Sequence, residues 1–99
     1  MAQSPRFLAR QYSLPFVDPR EFTIERDVLA LVPPKLAIKH CLVPLNAYDA
    51  TLVVAFSDPS NIYVIDELKF LTQRTIEPVV AEKEHIETVL DRLLNLAWK

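Results

Sequence analysis

From residue 23 onward, the spacing of apolar positions alternates between a helical and an extended period. Ile24, Val28, Leu29, Leu31 and Val32 recur at helical intervals, which predicts a short helix with Thr23 as its N-cap. Pro33-Pro34 breaks it, and Pro34 is placed to open a second helix at its first position. That helix is expected to run to about Cys41 and to turn Leu36, Ala37, His40 and Cys41 inward. Residues 42–45 and 51–56 are apolar runs flanking the more polar 46–50, the pattern of a β-hairpin. Pro44 has no N–H to give to a ladder, so the first arm belongs at a sheet edge. The second arm is apolar almost throughout and reads as a strand buried on both faces. Ile62, Ile65, Leu68 and Leu71 predict a helix with one apolar stripe, leaving Asp66, Glu67 and Lys69 toward solvent. A strand over 76–80, interrupted by Pro78, leads to a last helix beginning near Glu82 or Lys83. Its inward stripe is Ile86, Val89, Leu90, Leu93 and Ala97.

The first 22 residues carry Pro5, Pro15 and Pro19 and predict an irregular or extended arm. Within it a short helix fits residues 7–12, followed by an extended segment that lays Phe16 and Val17 on the core. The whole predicts one α/β (α+β) domain, with an arm at 1–22 and a compact unit at 23–99 in the order helix-helix-β-β-α-β-α. Its sheet is small, three-stranded and mixed: the hairpin plus a crossover strand parallel to the second arm, covered by helices.

Composition narrows the chemistry. Of 99 residues none is glycine. Phosphate-cradling loops need glycine so that backbone N–H groups reach the phosphates, so no Walker A loop, dinucleotide fingerprint or Gly-x-Ser-x-Gly elbow can be written in this sequence. Catalysis by nucleotide hydrolysis is therefore not expected of these residues. The net charge of −2 provides no general footprint for nucleic acid. Charge does drift along the chain, with six Lys/Arg against four Asp/Glu over 1–45 and five against nine over 46–99. No stretch approaches the roughly 20 apolar residues of a membrane helix, so any membrane link is expected to come through a partner. The single Cys41 suits a reducing cytosol.

Several residue groups are candidate sites. Asp58, Pro59 and Asn61 lie at the carboxyl end of the buried strand, where α/β proteins often bind ligands. Cap chemistry explains the same residues: Asp58 satisfies free helix N–H groups, and Pro59 fits the first helical position. His40 and Cys41 are adjacent on a helix and point about 100° apart, so they do not converge on one ion, and no second ligand pair is spaced to complete a metal site. His85 is expected on a solvated face. Glu84, Glu87 and Asp91 share one side of the last helix, interleaved with Lys83 and Arg92. That is a solvated face, or a contact surface for a basic partner. Arg6, Arg10, Arg20 and Arg26, with Phe7 and Tyr12, are the one arginine-aromatic grouping. They are scattered surface charges, or a site for a phosphate or cyclic dinucleotide in which Arg6, Arg10 and Tyr12 are the binding residues. Trp98 is a loose anchor at the end of the last helix, or packing surface for a neighbour.

The order of segments carries a resemblance. Leu14-Pro15-Phe16-Val17-Asp18, Asp27-Val28-Leu29-Ala30-Leu31-Val32-Pro33, Leu36-Ala37 and Val43-Pro44-Leu45 open the series. Leu52-Val53-Val54-Ala55-Phe56-Ser57-Asp58-Pro59, Leu68-Lys69-Phe70-Leu71-Thr72 and Pro78-Val79-Val80-Ala81 with Ile86 close it. From about residue 8 onward this resembles the N-terminal domain of type II secretion ATPases (the E component) and type IV pilus assembly ATPases. The resemblance implies a bacterial accessory domain that precedes a motor and docks on the cytoplasmic part of an inner-membrane platform protein. It implies a cytoplasmic location, no cofactor and no direct membrane insertion. Some family members bind cyclic di-GMP through paired motifs rich in Arg, Leu and Gly. Here the upstream Arg-Leu-Gly type motif is absent, and residues 7–12 resemble only the tail of the second. The motor portion is absent too, so the readings stand as a docking domain, a cyclic di-GMP sensor, or a stand-alone adaptor in signalling or motility.

Overall fold

The computed structural model describes residues 4–96. Helix α1 (Pro5–Gln11) and a 3-10 turn (Pro19–Glu21) precede α2 (Arg26–Leu29) and α3 (Pro34–His40). Strands β1 (Leu42–Tyr48) and β2 (Thr51–Phe56), helix α4 (Ile62–Thr72), strand β3 (Thr75–Val80) and helix α5 (Lys83–Leu96) follow. The sheet is mixed, in the order β1-β2-β3, with β1 antiparallel and β3 parallel to β2. This is the predicted α+β architecture.

Both prolines of the sheet lie on outer strands, Pro44 on β1 and Pro78 on β3, where the missing N–H breaks no ladder. The register of β1 slips between Pro44 and Asn46, leaving Leu45 as an extra residue. The slip explains why 42–45 are all buried while Asn46 and Tyr48 are exposed: the bulge re-aims the strand, and its second half leaves the core. The hairpin turn is tighter than the five-residue loop expected over 46–50. Pairing continues to Tyr48 opposite Thr51, and only Asp49 and Ala50 remain to turn the chain. Asp49 takes a left-handed φ of 51°, and Asp is among the few non-glycine residues that tolerate it.

The arm joins the sheet. Ser4 caps α1 by accepting from the Phe7 N–H at 3.2 Å, and Leu8 and Ala9 turn into the protein. Phe16 bridges Val80 in parallel, with the Val17 N–H donating to the Val80 carbonyl and the Val80 N–H to the Pro15 carbonyl, each at 2.8 Å. The outer edge of β3 is thus occupied at one end.

Expectations for two of the helices need correction. Thr23 caps nothing: α2 is four residues long, its N-cap is Glu25, and no side chain bonds its first N–H groups. Helix α4 starts at Ile62, after Pro59 rather than on it. Asp58 accepts from the Ser60 N–H and hydroxyl at 2.9 and 2.6 Å, closing a turn, while Asn61 is the N-cap and accepts from Val64. The phase of α4 also differs. Val64 and Leu68 are buried, whereas Ile62 is 62% and Leu71 47% exposed. Within the sheet, α4 packs against β3, so it hides a narrow stripe rather than the broad one expected. Helix α5 buries Ile86, Val89, Leu90 and Leu93 as predicted; Ala97 and Trp98 lie outside the described residues.

Candidate functional site

The carboxyl end of β2 meets α1 in a cleft of about 450 Å³ lined by Pro5, Leu8, Tyr12, Ser57, Asp58, Ser60 and Lys83. Three distant segments converge there because β2 ends where α1 packs and where α5 begins. Sequence reasoning places Tyr12 and Asp58 in separate groups; the fold brings them together and adds Ser57, Ser60 and Lys83. Nothing in the local pattern of those three distinguishes them from ordinary cap and surface residues.

The arginines do not gather in this cleft. The Arg6 guanidinium stands 4.8 Å from the centroid of the Phe16 ring, a cation-π contact that holds α1 to the extended segment. Arg10 is exposed in the last turn of α1 and is not among the cleft's lining residues. Arg20 is committed to Asp18 by hydrogen bonds of 2.7 to 3.2 Å. Its guanidinium holds the Asp18 carboxyl down at about 2. Arg26 opens α2, a different element again. The cleft's own charges are the Asp58 carboxylate, already accepting two hydrogen bonds, and the Lys83 ammonium. Such a set has the chemistry to hold polar groups and to stack a ring on Tyr12; its one hydroxyl-carboxylate pair, Ser60 on Asp58, is engaged in closing the turn before α4.

His40 ends α3 and is half-buried, and Cys41 follows in a left-handed conformation (φ 52°, ψ 63°) that stops the helix. Cys41 borders a groove of about 390 Å³ between α3 and α5, with Ile38, Lys39, Lys83, Glu87, Leu90, Asp91 and Leu94. Burial pushes its thiol pKa up, and Glu87 adds to the rise. The thiolate needed for nucleophilic or metal chemistry is therefore disfavoured. Among the described residues no three His, Cys, Asp or Glu side chains cluster to hold a metal. The acidic face of α5 is divided: Glu87 and Asp91 border this groove, and Glu84 does not.

His85 is not the solvated residue expected. Its side chain is 30% exposed, its Nδ1 is buried without a hydrogen bond, and that atom lies 3.8 Å from Asp18 Oδ1. The 3-10 turn packs on α5 and covers it.

Among the described residues, the large hydrophobic side chains with the greatest exposure are on α4. Tyr63 is 82% and Phe70 77% exposed, beside Ile62 and Leu71. Leu71 also lines two shallow hollows, one against 29–34 and one against Pro33, Lys35, Leu36, Lys39 and Glu67. The sequence pattern assigns Ile62 and Leu71 to the core and passes over Tyr63 and Phe70.

Comparisons with known proteins agree with this fold. The MshEN domain profile matches residues 12–97. The chain is 44% identical over 86 residues to the type IV pilus assembly ATPase PilB of Myxococcus xanthus (strain DK1622), covering 87% of this chain and 15% of that protein. With PilB of Acinetobacter baylyi (strain ATCC 33305 / BD413 / ADP1) it shares 31% identity over 91 residues, 88% of this chain and 16% of the relative. It thus spans about a sixth of these curated relatives' length. The solved structure of MshE with cyclic di-GMP superposes with a TM-score of 0.78 at 27% identity, over 88% of this chain and 63% of that one. The N-terminal domain of XpsE shares the fold, with a TM-score of 0.78 at 21% identity over 97% of this chain and 67% of that one. The chain belongs to the MshEN domain family.

Proposed function

We propose that this chain is a docking and regulatory domain of a secretion- or pilus-type assembly ATPase, without chemistry of its own. It works in the cytoplasm and binds a cytoplasmic part of an inner-membrane assembly component, through which it reaches the membrane. The observation that carries this reading is the exposed face of α4, where two aromatic rings stand in solvent at a cost that a partner would relieve. Identity to PilB from two bacteria supports the ATPase context. Among the described residues no helix is long and apolar enough to cross a membrane. The test is affinity capture from detergent-solubilised inner membranes with the tagged chain. Recovery of an inner-membrane component of the assembly machine is expected, and recovery of none overturns the reading.

A second reading is favoured by the MshE structure with cyclic di-GMP: a nucleotide second-messenger sensor using Arg6, Arg10 and Tyr12. Calorimetric titration with cyclic di-GMP separates the two. Submicromolar binding abolished by Arg6→Ala or Arg10→Ala would establish the sensor.

A further inference from the structure

Near the start of α5, one ring nitrogen of His85 stands in an unfinished contact. Its Nδ1 is buried, forms no hydrogen bond among the described residues, and lies 3.8 Å from Asp18 Oδ1 on the arm. Neutral imidazole leaves that contact poor in either tautomer. With the proton on Nε2, a lone pair faces the carboxylate; with it on Nδ1, the N–H falls short of hydrogen-bond distance. A second proton removes both defects, because Nδ1 then carries an N–H whichever tautomer came first and the ring gains a full positive charge. Asp18 supplies a fixed anion, since the Arg20 guanidinium holds its carboxyl down at about 2. An inward shift of about 1 Å by the 3-10 turn brings the pair to the ~2.8 Å of a charge-assisted hydrogen bond.

The charges on this side of α5 are mostly negative. The turn that covers His85 brings Asp18, Arg20 and Glu21, and the start of the helix adds Glu82 one turn earlier and Glu84 beside it. The one cation of that set, Arg20, is already bonded to Asp18. The other elements packed on α5 bring no competing charge here. Strand β2 has no titratable residue, and Tyr48 on β1 donates to Glu77. Helix α3 meets the opposite face: Lys83, Glu87, Leu90, Asp91 and Leu94 lie roughly 120–180° around α5 from His85, with Lys39 across the groove from them. Lys35 borders a separate hollow beside α4, and His40 ends α3.

We propose that His85 and Asp18 form a pH-operated latch, in which protonation of the imidazole ties the 3-10 turn, and with it the arm, to α5. Imidazole is the side chain whose ordinary titration falls between about pH 5 and 8. The proton-bound state is the docked one, so the latch closes as pH falls through that range and slackens as pH rises. Asp18 follows directly on Phe16 and Val17, so a closed latch steadies their pairing with Val80. It also steadies the arm that carries Tyr12, one wall of the cleft at the end of β2.

Amide hydrogen exchange at Val17, whose N–H is bonded to the Val80 carbonyl, reads the latch directly. Its protection factor, corrected for the intrinsic effect of pH on exchange, is followed from about pH 8 to about pH 5. In the parent chain it is expected to rise roughly two- to fivefold on acidification, the worth of a partly exposed ion pair. His85→Gln and Asp18→Asn are each expected to hold it level, while His40→Gln and Glu82→Gln keep the rise. Asparagine retains a side-chain oxygen for the Arg20 N–H, and each variant is compared with itself across pH, so a uniform loss of protection does not imitate the latch. The proposal is overturned by a level profile in the parent, by a rise that survives His85→Gln or Asp18→Asn, or by one that His40→Gln or Glu82→Gln removes. Protection that falls on acidification also overturns it, since dehydration of the imidazolium then outweighs its attraction to Asp18.

Discussion

Among the described residues, four without the freedom of glycine stand at left-handed backbone: Ser13, Cys41, Asp49 and Gln73, with φ of 51–57°. In a chain with no glycine, the stops of α3 and α4 fall to Cys41 and Gln73, and each left-handed Cβ costs about 1 kcal/mol. Gln73 is exposed, and its side chain gives only an external bond of 2.7 Å to the Phe70 carbonyl. Gln73→Gly is therefore expected to raise unfolding stability by about 0.5–1 kcal/mol, seen as a higher urea midpoint at unchanged slope. Asp18 makes a prediction in pH. Its folded carboxyl titrates near 2, below its ordinary value of 3.8. The stabilisation it confers is thus fully present above pH 4 and is lost as pH falls through about 2. Asp18→Asn is expected to be less stable than the parent at pH 6, with the gap closing toward pH 2 and narrowing in high salt. A gap that persists at pH 2 would trace to lost cap geometry instead.

At the scale of elements, the helices differ in how plainly their burial is written. Helix α5 packs against β1, β2, α3 and the 3-10 turn, so a broad apolar stripe is buried and the periodicity of Ile86, Val89, Leu90 and Leu93 was legible. Helix α4 holds two overlapping stripes, 62-65-68-71 and 64-68, and composition alone does not say which one faces inward. A helix leaning on one strand buries only the narrower. Val64→Ala is expected to lose about 1–3 kcal/mol and Leu68→Ala about 2–5 kcal/mol, while Leu71→Ala loses less than about 1. If Leu71→Ala matched Leu68→Ala in thermal melts, α4 would have to turn its broader stripe inward after all. Asp58 and Asn61 posed the same ambiguity three residues apart, since both are good caps, and the fold chose the second. The edge position of β1 was legible because Pro44 removes a donor outright, whereas Pro78 was read only as an interruption of β3. The cleft was not, because Tyr12, Asp58 and Lys83 are brought together only by the way β2 ends between α1 and α5.

The whole molecule turns on whether the arm is part of the fold. Divided by pattern, residues 23–99 read as a compact unit with 1–22 laid against it, and an independent unit would keep its stability without the arm. The contacts argue for dependence. Two backbone hydrogen bonds tie Pro15 and Val17 to Val80, so removing the arm leaves an open strand end at the edge of β3. Leu8, Ala9 and Pro19 are buried, and Val17 packs on the central cluster. Asp18 faces the buried Nδ1 of His85 on α5. At about 1.5–3 kcal/mol for a fully buried large apolar side chain, Leu8 and the half-buried Val17 together account for roughly 2–3 kcal/mol. For a domain of this size that is a large share of the ~5–15 kcal/mol that holds a fold together. A chain beginning at residue 23 is accordingly expected to melt well below the parent, or to associate through β3 and lose its concentration-independent melting. Equal midpoints for the two chains, measured by calorimetry at several concentrations, would make the arm an appendage. In that case Tyr12 could swing away from Asp58 and Lys83 without disturbing the domain, and the cleft would open and close at little cost.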